Sequence, residues 1–87
     1  MRWKAATLFD SQQRCGAEAN MAKYLASEAA MDAANACLDA HGGYGFAVES
    51  DVERVFRHSR LSRTAPINNN LVLALIGEHV LGMPKSY

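Results

Sequence analysis

Four stretches of this 87-residue chain carry apolar side chains at helical spacing, and none alternates with the period of two that marks a half-buried strand. The first covers residues 1 to about 10, with Trp3, Ala6, Leu8 and Phe9 as its apolar positions and no capping residue before it. The polar run from Ser11 to Arg14, followed by Gly16, interrupts it. A long second helix is predicted over about residues 17–39, composed largely of strong helix formers. Its apolar positions are small: Ala22, Ala26, Ala29, Ala33 and Ala36 or Cys37 recur every three or four residues, joined by Met21, Leu25 and Leu38. Such a stripe lets helix axes approach closely and suits the inside of a bundle. Burying alanine gains little at about 25 cal/mol per Å², so larger side chains must come from other elements.

Gly42, Gly43 and Gly45 stop this helix, since glycine adopts the left-handed cap without steric cost. A loop to about residue 50 follows. Ser50 and Glu53 have capping-box spacing, which predicts a third helix from about Asp51 carrying Val52, Val55, Phe56 and Leu61 inward. Thr64 is a candidate cap and Pro66 suits a first helical position or the turn before it. A fourth helix is therefore predicted over about residues 67–81, with Leu71, Leu75 and Ile76 or His79 on its buried side and Gly82, Met83 and Pro84 ending it. The fold class expected is all-α, a bundle of three to four helices in one domain. A domain of this size makes only a small core, so completion by self-association, as a homo-oligomer, is expected with it.

Nine basic and nine acidic residues cancel, leaving no global field to draw nucleic acid or an anionic membrane. Arg54, Arg57, His58, Arg60 and Arg63 cluster, but Asp51 and Glu53 dilute them and no aromatic stacking platform is interleaved, so the cluster reads as a solvated or salt-bridged face. No apolar run approaches bilayer length; the longest, residues 71–77, ends before Glu78 and His79. Cys15 and Cys37 lack CxxC spacing and the N-terminus lacks a secretory pattern, which makes reduced thiols and a cytoplasmic location the expectation. His41, His58 and His79 match no standard zinc spacing, so no metal is expected. Neither cysteine has a His or acid at a spacing that identifies a nucleophile and its base.

The joint His41-Gly42-Gly43-Tyr44-Gly45-Phe46 is the remaining candidate for chemistry. It is neither a dinucleotide fingerprint nor a phosphate-binding P-loop, so its residues alone leave a plain helix stop and a ligand contact both open. Taken with Met21-Ala-Lys-Tyr-Leu-Ala-Ser-Glu28 before it and Asp51-Val-Glu-Arg-Val-Phe-Arg57 after it, the joint resembles the C-terminal helical domain of the flavin-dependent acyl-CoA dehydrogenases. The resemblance runs from about Cys15 to the end.

That family places a Gln-x-x-Gly-Gly-x-Gly segment at the end of a long bundle helix, touching the ADP part of FAD held mainly by a neighbouring subunit. The resemblance therefore implies Asp39, Ala40, His41, Gly42 and Gly43 as cofactor-binding positions, with Asp39 replacing the usual Gln by an acceptor-only carboxylate. The family's catalytic Glu, in a Tyr-Glu-Gly-Thr segment, falls on Pro66, and neither Ala65 nor Ile67 can act as a base. Asn68 stands where the Thr near the flavin would be and is the sixth cofactor-binding candidate. Some family members carry the base on an earlier helix, which would lie upstream of Met1. By the same resemblance the chain is a partial C-terminal domain without the family's N-terminal helical and middle β domains. It is then expected to be inactive alone, with the acyl-CoA substrate belonging to an intact parent. A non-catalytic helical assembly module, joined through the alanine stripe, is the alternative.

Overall fold

The structure, a computed structural model, describes residues 1–85. Helix α1 spans Arg2–Asp10, α2 Gly16–His41, α3 Val52–Leu61 and α4 Asn69–His79; two short 3₁₀ helices, Gly42–Phe46 and Val48–Ser50, lie between α2 and α3. No strand occurs among the described residues, and the chain is all-α. It forms two compact units, one from residues 1–25 together with the stretch from Ile67 on, the other from residues 26–66. Helix α2 contributes its first part to one unit and its second part to the other.

Ten alanines and no proline or β-branched residue make α2 a continuous helix of 26 residues, about 39 Å long. Glu18 sits in its first turn, where a carboxylate suits the helix dipole, and lies 3.7 Å from Lys4 of α1. The helix continues two residues beyond the predicted end, through Ala40 and His41, and stops where Gly42 takes φ +58°.

The buried side of α2 is only in part the predicted one: Met21, Ala22 and Leu38 of the predicted stripe are half-buried. Ser27, Met31 and Ala34 are buried, with Tyr24 and Leu38 half-buried on the same seam, while Ala26, Ala29, Ala33, Ala36 and Cys37 are exposed. Nearly every face of this helix offers alanine, so small-residue spacing does not choose among them. The larger Met31 gains more from burial and sets the face.

The third and fourth helices begin differently from expectation as well. The Ser50 hydroxyl faces the carbonyls of Tyr44 (2.8 Å) and Ala47 (2.9 Å), and Glu53 pairs with Arg57 (2.9 Å), so neither half of the capping box is made. Asp51 in the left-handed region, φ +60°, starts α3 instead. Val52 and Phe56 are half-buried, whereas Val55 and Leu61 are exposed.

Thr64 does not cap α4. Its hydroxyl donates to Leu61 O (3.0 Å) and closes the end of α3. Asn68 caps α4 by accepting from Leu71 N (2.9 Å), so the helix starts two residues later than predicted. Its buried positions are Asn69 and Val72, at 6% and 1% exposure; Leu75 and Ile76 are half-buried, and Leu71 and His79 are exposed. The run from Leu71 to Ile76 is apolar all round, so periodicity could not fix the inward face. At the far end α4 stops at His79, two residues short of the predicted end; Gly82 at φ +70° turns the chain as expected, and Met83 N–H returns to Gly77 O (3.0 Å) as in a Schellman cap.

Candidate functional site

Five of the six predicted cofactor residues are consecutive, and the structure gathers them at the C-terminal end of α2. Asp39, Ala40 and His41 form its last turn and Gly42 and Gly43 open the first 3₁₀ helix; all five are exposed. His41, expected in a loop, is helical, and its Nδ1–H donates to Cys37 O at 2.9 Å. Nδ1 lies 3.8 Å from Cys37 Sγ, and Nε2 remains as the second ring nitrogen for an outside partner.

The glycines of the joint have separate causes. Gly42 needs its positive φ to end the helix. At Gly45 the chain folds back on the last turn of α2, and an added Cβ would sit 3.0 Å from Leu38 Cδ2 and 3.2 Å from Leu38 O. Gly43 has neither constraint, with an ordinary φ and nothing within 4 Å of where a Cβ would lie. The bare backbone at Gly43 therefore answers to nothing packed against it in this chain.

Asn68 belongs to the other unit, at the start of α4. It is exposed, and with Oδ1 engaged by Leu71 N–H its amide nitrogen is the group left to donate outward. The capping bond is worth about 0.5–2 kcal/mol to α4. One feature that sequence reasoning missed stands beside it. Lys23 of α2 donates to Ile67 O (2.7 Å) and to Asn69 Oδ1, the two residues that flank Asn68. A lone Lys within a helical pattern gives no signal of such a contact.

Pro66, where the resemblance puts the family's catalytic acid, follows a cis Ala65–Pro66 bond and is exposed. Arg57 pairs with Glu53, Arg54 with Asp51 (3.3 Å) and Arg63 with Glu28 (3.0 Å), which gives the arginine cluster its salt-bridged character. A cleft of about 140 Å³ lies within the second unit, lined mainly by Ala34, Cys37, Val52, Val55 and Phe56. Among the described residues no group of three or more His, Cys, Asp or Glu could hold a metal ion, and no helix is long and apolar enough to cross a membrane.

Comparison with known proteins shows the family of the chain. The sequence model of the family described as acyl-CoA dehydrogenase, C-terminal domain, matches residues 1–81. The chain belongs to that family. The match takes in α1 as well, so the family likeness begins before Cys15, where the motifs alone put it. An acyl-CoA dehydrogenase of Mycobacterium tuberculosis is 42% identical over 89 residues, covering 100% of this chain and 23% of the relative. An acyl-CoA dehydrogenase of Bacillus subtilis is 35% identical over 80 residues, covering 92% and 21%. The short-chain specific mitochondrial acyl-CoA dehydrogenase of Rattus norvegicus is 31% identical over 86 residues, covering 99% and 21%. The chain thus spans less than a quarter of the length of these relatives. No solved structure gives a significant match.

Proposed function

We propose that this chain serves as the C-terminal bundle segment of an FAD-dependent, acyl-CoA dehydrogenase-like oxidoreductase, contributing a flavin contact and part of an oligomer core. Acyl-CoA dehydrogenases as a family are FAD-dependent. Bound FAD supplies the electron acceptor for α,β-dehydrogenation of an acyl-CoA thioester. The observation that carries the reading is Gly43, whose open backbone suits the close approach of a phosphate-bearing group. Exposed flanking residues with donor and acceptor groups fit such a contact. The Gly43 N–H would face a phosphate oxygen. His41 would offer Nε2, and the Asp39 carboxylate would accept from a hydroxyl or amino group of the nucleotide. Asn68 would donate its amide N–H to the flavin ring system. Residues 65–67 offer nothing that takes a proton, so the chain binds and positions but brings no base there. The purified 87-residue chain should accordingly show no turnover of any acyl-CoA with FAD.

Gly43→Val tests the contact. A Cβ at position 43 meets nothing within 4 Å, so helicity and denaturation midpoint should be retained while FAD-induced chemical shifts at residues 39–43 disappear. Unchanged FAD shifts in the variant would refute the assignment.

A second reading has its own observation. Ala26, Ala29, Ala33 and Ala36 form an exposed row on α2, which fits a non-catalytic helical assembly module joined through that row. Assembly that is indifferent to FAD, together with no FAD-induced shifts in the Gly43 region of the parent chain, would favour it.

A further inference from the structure

Lys23 stands out among the basic residues of the chain for the partners it keeps. Arg54, Arg57 and Arg63 each meet a carboxylate, with Nε 2.9 to 3.3 Å from the oxygen. Lys23 is half-buried and reaches across 44 positions of sequence to a backbone carbonyl, Ile67 O at 2.7 Å, and to the side-chain carbonyl of Asn69. Asn69 is itself buried at 6% exposure. An ammonium with three donors can hold two acceptors on one short segment at once, and bonds from a charged donor are stronger than neutral ones. The two anchor points lie on either side of Asn68, whose own Oδ1 is fixed by Leu71 N–H. Asn68 is thus exposed, yet pinned at both neighbours and at one end of its side chain.

We propose that Lys23 is the positioning residue for Asn68: it holds the Ile67–Asn69 segment so that the exposed amide group of Asn68 is presented in one orientation to the flavin. Lys23 touches no ligand in this role and acts through the segment. It also selects the inward face of α4, because drawing Asn69 inward brings Val72 and Ile76 to the same side at spacings of three and seven. The flavin part of the inference rests on the assignment of Asn68 made above, whereas the tether does not depend on flavin.

The test compares the chain with its Lys23→Met, Lys23→Gln and Lys23→Arg variants by amide hydrogen exchange, with and without FAD. Lys23→Met and Lys23→Gln should speed exchange of the Leu71 N–H by about tenfold, the size expected for losing a charged hydrogen bond. Exchange in α3, in the other unit, should stay unchanged. Lys23→Arg, which keeps the charge and the donors, should restore most of the Leu71 protection. Unchanged Leu71 exchange in Lys23→Gln would overturn the proposal. So would an equal loss of protection in α3, or failure of Arg to rescue where Met and Gln are impaired.

With FAD present, the side-chain amide signal of Asn68 should move in the parent chain and in Lys23→Arg, and move less in Lys23→Gln. In an Asn68→Ala background, Lys23→Gln should weaken FAD binding no further. An additional loss there would show that Lys23 does not act through Asn68. If FAD moves the Asn68 signal in none of the chains, the flavin assignment fails, while the exchange data still decide the tether.

Discussion

Gly42, Gly43 and Gly45 fall within four positions, and the backbone asks something different of each. Ala at position 42 would have to adopt φ +58°, a left-handed geometry that costs an L-residue about 1–2 kcal/mol. At position 45 the new methyl would meet Leu38 O and Cα, backbone atoms of a helix turn that cannot swing aside. Position 43 is open. Gly42→Ala and Gly45→Ala should therefore each lower stability by about 1 kcal/mol or more, and Gly43→Ala by less than about 0.5 kcal/mol, read by urea denaturation. An equal loss at position 43 would mean that it packs against something within the chain. The helix-stopping role of this cluster was legible in the sequence, because three glycines after a strong helix former leave little choice. The fold-back at Gly45 was not legible, since it depends on where Leu38 lies. Ser50 and Glu53 show the converse, a correct motif spacing that did not form. The carbonyls of Tyr44 and Ala47 compete for the hydroxyl and Arg57 for the carboxylate.

All four predicted helices are present, each where helix formers outnumber breakers. Their faces were harder to read. An alanine-rich helix such as α2 has many nearly equivalent stripes, and an all-apolar run such as that of α4 has no polar side to exclude. In both, a residue outside the periodic pattern decides: Met31 by its size, and Lys23 by the contact it makes with Asn69. The consequence for α2 is that the row of Ala26, Ala29, Ala33 and Ala36 points to solvent. Leu at position 29 or 33 has space in the single chain, so far-UV circular dichroism should not change. If the row is the oligomer contact, the same substitutions should weaken assembly by roughly 1–3 kcal/mol through overpacking, measured as a shift in dissociation constant by sedimentation velocity. Unaltered association would move the contact to another surface.

At the scale of the molecule, the apolar side chains buried among the described residues are Met31, Ala34 and Val72, while Trp3, Phe9, Tyr44, Phe46 and Leu81 are exposed. A core of this size gives little stability by itself. The expectation of a partner followed from length alone; the structure shows which large apolar side chains the chain leaves exposed. The sequence also held the family membership, in the glycine joint and its flanks. Whether residues 39–43 and Asn68 meet a ligand was not legible, because residue types do not show what approaches them. Sedimentation equilibrium of the purified chain, with and without FAD and recorded at the flavin absorbance, addresses the central claim directly. The expected result is flavin that sediments with an oligomer of the chain and is released by Gly43→Val. An oligomer that leaves the flavin evenly distributed through the cell would contradict the flavin contact and leave an assembly module.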